Sequence, residues 1–175
     1  MVSAAAAVSV PFELGKSADR LNTGFSRIYQ RHLIKGLVKA YNQKFKNHPL
    51  HISDKRLKQL RTFWEFDDAI TAPLHGFKDV HDYYEKCSSR QYLGKIETPT
   101  LIVHAKDDPF SEITAIPTEK DISPAISLEI TEQGGHVGFV SGNYPWKPIY
   151  WLESKILGYF KKLAPNQVSL NVSVT

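Results

Sequence analysis

Apolar residues run along this chain in two rhythms. Runs rich in β-branched or small apolar residues occur at Val2–Val10, at Thr98–His104 and at Ala125–Ile130. Their length and their boundaries at prolines and glycines predict strands, the first of them buried. Between the first two runs the rhythm is helical. Phe25, Ile28, Tyr29, Leu33, Leu37, Val38, Tyr41 and Phe45 recur along Gly24–Lys46, opposite a face of lysines and arginines, and Lys46-Asn47-His48-Pro49 ends the run. Ser53 or Asp54 caps a second helix carrying Leu57, Leu60, Phe63, Trp64 and Ile70, with Asp67-Asp68 at its C-terminal end. A third runs over Asp79–Lys86, and a last one over Trp146–Leu163 has Ile149, Leu152, Ile156, Phe160 and Leu163 in one stripe, stopped by Pro165. Leu14–Asn22 reads as a loop with a short turn, Phe110–Thr118 as a loop with a turn, and Asn166–Thr175 as a polar, frayed tail. Strands separated by helices predict an α/β arrangement around a parallel sheet.

Composition adds modest bounds. The chain has 175 residues, 42% hydrophobic and 23% charged, with a formal charge of +4. That suits a globular protein and falls short of a dedicated nucleic-acid stripe. The basic face of Gly24–Lys46 is read as solvated; a phosphate, membrane or nucleic-acid role for it is the less favoured reading. One cysteine, Cys87, excludes an internal disulfide, fits a reducing, cytoplasmic setting, and is expected as a small buried residue. Val2–Val10 has no basic residue before it and falls short of the ~20 residues of a membrane span. Asn171-Val172-Ser173 fits a glycosylation sequon without other signs of secretion.

Candidate chemistry lies where the last two strands end. The run from Thr98 breaks at Ala105-Lys106-Asp107-Asp108-Pro109-Phe110. The run from Ala125 breaks at Gly134-Gly135-His136-Val137-Gly138-Phe139. In a parallel sheet both loops emerge on one rim, where such folds place their chemistry. An acid aimed at a histidine is two thirds of a nucleophilic triad: the carboxylate orients the ring through Nδ1 and the opposite nitrogen serves as base. Taken alone, Gly-Gly-His is a turn as readily as a catalyst. Of the seven histidines, His32, His48, His51, His75, His81 and His104 have ordinary structural explanations, which leaves His136. Asp108 is the favoured acid, and Asp107 competes for the role or binds backbone amides as turn aspartates do. A metal pair at Asp67-Asp68 is disfavoured, because no histidine lies three or four positions away. No G-x-S-x-G elbow occurs. Gly24-Phe25-Ser26-Arg27-Ile28 comes nearest, lacks the second glycine and heads a helix, so Ser26 is a poor nucleophile. His75-Gly76 is no oxyanion loop.

The acid and histidine segments resemble the corresponding motifs of YheT-like α/β-hydrolases. Val8-Ser9-Val10-Pro11-Phe12, Gly24–Arg31, Glu65-Phe66-Asp67-Asp68, Thr71–Gly76 and Asp82-Tyr83-Tyr84 fit the same pattern, so the resemblance covers residues 2–163. It implies a serine hydrolase of carboxylic esters or acyl lipids, with Asp108 and His136 in the triad and no metal or organic cofactor. It also implies the C-terminal part of the α/β-hydrolase fold: about three parallel strands, flanking helices and a helical cap. Residues 1–23 would be an internal strand and loop, 24–95 the cap, 96–164 the strand–acid–strand–histidine–helix core and 165–175 a tail. The serine elbow is then expected outside this chain, which alone would be inactive. The exposed edge of Val2–Val10 would favour self-association or a complementing N-terminal half. A non-catalytic interaction module with the same half-fold is the competing expectation, with a basic nucleic-acid binder behind it.

Overall fold

The computed structural model describes residues 2–46, 52–141 and 148–164. The chain forms two compact units. The first comprises residues 1–10, 92–108 and 117–175; the second comprises residues 11–91 and 109–116.

In the first unit, β1 (Ala5–Val8), β2 (Thr100–Ala105) and β3 (Ile126–Thr131) form a parallel sheet in the order β1-β2-β3. Ala5 pairs with Thr100 and Thr100 with Ile126, so the three strands start level, and β1 stops two residues short of the other two. β2 is buried at every position, as a central strand covered on both faces must be. β1 is only half-buried, contrary to the fully buried strand expected, because it is an edge of the described sheet. Leu101, Val103, Ala105 and Phe139 make the core of this unit, covered by Trp151, Leu152, Ile156 and Tyr159 of the C-terminal helix. That helix starts at Trp151 and ends at Leu163 rather than starting near Trp146. Ile149, assigned above to its stripe, instead pairs with Ser141 in a small antiparallel ladder, Val140–Ser141 with Ile149–Tyr150. Trp146 and residues 165–175, including Asn171, lie outside the described residues.

The second unit is helical. Leu14–Leu21 is α1, where a loop was expected. Leu14, Ala18 and Leu21 are spaced to share one helical face, and Ala18 packs with Val80 and Tyr84. The long basic helix α2 spans Ser26–Phe45. The expected second helix is in fact two. Asp54–Leu57 (α3) is capped by Ser53, and a new helix (α4, Phe63–Phe66) begins at Thr62. Thr62 and Glu65 form a reciprocal capping box, which satisfies amides that a continuous helix would have paired internally. Asp67 and Asp68 therefore open a π-helical segment, Asp67–Thr71, rather than ending a helix, and α5 (Ala72–Leu74) follows. The Asp67 carboxylate accepts hydrogen bonds from Thr71 Oγ1 at 2.6 Å and Tyr84 Oη at 2.7 Å. Burial raises its pKa above the ordinary value. Asp79 caps α6, Val80–Cys87, and Cys87 is exposed, not buried as expected, since it occupies the outer face of the last turn. Ile34, Tyr41, Leu57, Leu60, Phe66 and Ile70 form this unit's core.

Candidate active site

The site sits at the C-terminal ends of β1, β2 and β3, within the first unit. β2 ends at Ala105, and the Asp108 amide donates back to the Ala105 carbonyl, a tight turn that swings Asp108 inward. Its side chain is 1% exposed. Asp107, next in line, stays at the surface.

The segment after β3 is held residue by residue. Gly134 admits no side chain: an added Cβ would stand 2.6 Å from the Phe139 ring. Gly135 has φ +60, a left-handed conformation open to glycine at little cost. The Gly135 amide donates to Asp107 Oδ1 at 2.8 Å. His136 Nδ1 lies 3.0 Å from Asp108 Oδ2. The Val137 amide donates to Ser9 Oγ at 3.1 Å, and the Phe139 amide to the Gly134 carbonyl at 2.8 Å. Val137, Phe139 and Ser9 all have positive φ, at 54, 43 and 51. Such conformations cost about 1–3 kcal/mol each outside glycine and persist where surroundings over-determine them. Here four hydrogen bonds and the buried Phe139 ring do so.

Two aspartates thus divide the work. Asp108 meets the imidazole, and Asp107 receives a backbone amide of the histidine loop. The His136 side chain is 33% exposed, so one edge of the ring is reachable while its acid partner is dry. A carboxylate in that position favours the ring tautomer with hydrogen on Nδ1.

Two contributors escaped sequence reasoning. Ser9, in the left-handed conformation just past β1, lends its hydroxyl to the histidine loop from 128 residues away. In the sequence it stands inside the Val2–Val10 run, in the family-like segment Val8-Ser9-Val10-Pro11-Phe12, with nothing to tie it to the histidine loop. His104 is the second. It lies fully buried on β2 with Nε2 4.0 Å from Asp108 Oδ2. Burial holds its pKa below the ordinary value against the opposing pull of Asp108, with His136 also lowering it. His104 is therefore neutral at neutral pH, and the 4.0 Å approach is not an ion pair there. Ser26, the near-elbow serine, donates to the Pro109 carbonyl at 3.0 Å and is buried in the second unit. Among the described residues no group of three histidine, cysteine or acidic side chains could hold a metal ion.

No family model matches the chain. It is, however, 45% identical over 157 residues to YheT of Escherichia coli, a match covering 89% of this chain and 46% of that protein. The chain belongs to the YheT-like α/β-hydrolase family. It is also 32% identical over 145 residues to a monoacylglycerol lipase of Saccharomyces cerevisiae, covering 79% of this chain and 32% of the lipase. Over 141 residues it is 32% identical to mouse phospholipase ABHD3, again covering 79% of this chain and 34% of that relative. The chain thus spans from a third to just under half of the length of these relatives. Its parallel sheet of three strands with flanking helices is a portion of the α/β-hydrolase fold.

Proposed function

We propose that this chain supplies the acid and the base of a Ser-Asp-His triad that hydrolyses carboxylic esters or acyl lipids. The observation that carries the reading is the contact between Asp108 Oδ2 and His136 Nδ1, a buried acid on a partly exposed ring. In this scheme His136 Nε2 removes the proton from a serine hydroxyl as the serine oxygen bonds to the ester carbonyl carbon. The same nitrogen returns that proton to the departing alcohol, and a water molecule then repeats the sequence to release the acid. Asp108 holds the ring orientation and stabilises the imidazolium in both halves. Asp107 and Ser9 act as positioning residues through the backbone of the histidine loop.

The nucleophile in this proposal lies outside the 175 residues, in line with the lack of a G-x-S-x-G sequence among them. The ester or acyl-lipid substrate class is supported by the lipase and phospholipase among the relatives. β1, an edge of the described sheet, is the surface proposed to take a further strand, whether from a second copy or from the part of the enzyme that carries the serine. A cytoplasmic setting fits the single, exposed Cys87 and the bacterial relative. No helix among the described residues is long and apolar enough to cross a membrane.

The test is hydrolysis of p-nitrophenyl esters. The chain alone is expected to match buffer containing imidazole. Joined to the upstream coding segment with a G-x-S-x-G elbow, it is expected to turn over ester and to lose that activity in His136→Ala. Turnover by the isolated chain that vanishes in His136→Ala would overturn the placement of the nucleophile. Turnover by the joined enzyme that survives His136→Ala would overturn the triad itself.

A further inference from the structure

The second unit carries a groove of about 1030 Å³ that the triad does not use. One wall is α2, whose Arg27, Arg31, Lys35 and Lys39 line it at intervals of four residues. Lys58 and Arg61 face them from the other wall, and Ile34, Val38, Leu57 and Leu60 form an aliphatic floor. All six cationic residues are exposed, and no acidic side chain lines the groove among the described residues. The nearest acids in sequence are Asp54, three residues before Leu57, and Glu65, whose carboxylate accepts from the amides of Arg61 and Thr62. From Arg20 through Ser53 the sequence contains neither aspartate nor glutamate.

This arrangement does nothing for the helix that bears it. Like charges one turn apart repel and weaken a helix, so stability alone does not account for the row. Beside it, apolar side chains face solvent. Ile28, three residues before Arg31 and seven before Lys35, is 64% exposed, and Phe25 at the head of α2 is 90% exposed. Cations with exposed apolar residues on one helix flank are the composition that lies in a membrane interface, where phosphates meet the acyl layer. A nucleic-acid groove would carry aromatic platforms for bases instead of an aliphatic floor.

We infer that this groove binds the phosphate head group of an anionic phospholipid at a membrane surface, with Phe25 and Ile28 entering the acyl layer. The six cations supply the attraction, and the apolar contact comes from the exposed Phe25 and Ile28. The inference is independent of the Asp108–His136 pair.

Flotation with phosphatidylcholine vesicles, with and without phosphatidylglycerol, tests it on the 175-residue chain. Binding should require the anionic lipid. It should fall roughly a hundredfold or more when Arg27, Arg31, Lys35 and Lys39 are all replaced by glutamine, since each cation near such a surface contributes about 1 kcal/mol. Circular dichroism establishes that the variant remains helical, and adding the four changes in pairs gives partial losses if one variant unfolds. Phe25→Ser with Ile28→Ser should weaken vesicle binding several-fold, by loss of buried apolar surface, without changing retention of a short single-stranded oligonucleotide. His136→Ala should bind vesicles like the parent, which separates this outcome from any failure of the triad. Equal binding to neutral vesicles, displacement of vesicles by inorganic phosphate alone, or an oligonucleotide that competes while the two serine changes have no effect would overturn the proposal.

Discussion

The histidine loop and the cationic groove achieve their ends by opposite means. In the loop the contacts are specific pairs: a carboxylate on the ring, a serine hydroxyl on an amide, a glycine with no room for a methyl group. In the groove six cations surround one space, and several aliphatic side chains share the floor. Geometry therefore governs the first and summed charge the second. A single substitution should be severe in the loop and mild on the rim of the groove.

The sharpest break in that comparison is Asp108→Asn in an enzyme that includes the nucleophile. Loss of the carboxylate leaves the ring without its orienting charge, and kcat is expected to fall by roughly 10³–10⁴. The stopped rate should be read with folding monitored, because Asp108 is buried. Next comes Leu60→Ala, in the core beneath the groove, expected to cost about 2–5 kcal/mol by denaturant unfolding while leaving the surface charge intact. Gly134→Ala should follow at about 1–3 kcal/mol, because the added methyl drives into the Phe139 ring and Ala105. Ser9→Ala removes the acceptor of the Val137 amide and should cost about 1–3 kcal/mol. In the joined enzyme it should also lower kcat, whereas a serine with only a stabilising role would leave kcat alone.

The smallest effect is electrostatic. The His104 pKa is lowered in the folded chain, chiefly by burial. Between its folded value and the ordinary one near 6.5, the unfolded chain binds more protons than the folded chain. Stability from this residue is complete above about pH 6.5 and declines as pH falls toward the folded value. Denaturant midpoints of the parent should drop over that window, and His104→Asn should flatten the slope. A parent midpoint unchanged across the window would remove His104 from the account.

Much of the fold was written locally. Three apolar runs of strand length became β1, β2 and β3, and the period of the basic segment became α2. Local reading erred where two signals competed. The apolar face of α1 rests on only Leu14, Ala18 and Leu21, too few positions in eight residues to show a helical period against Gly15, Lys16 and Ser17 between them. The break before α4 was visible only as Thr62 three residues ahead of Glu65, a capping pattern outweighed by the apolar period running through it. Cys87 was assigned by residue type, yet exposure depends on which face of a helix end meets the core.

The sequence by itself determined which groups stand at the strand ends, since an acid after one strand and a glycine-flanked histidine after the next depend only on neighbours along the chain. It left Asp107 and Asp108 as rivals. Only the tertiary structure decided between them as partners of the ring, because adjacent residues in a turn point in different directions. It alone also brought Ser9 to Val137 across 128 residues and set His104 beside Asp108. Such meetings depend on strand register and the angle of a turn, and a linear pattern of apolar and polar positions encodes neither.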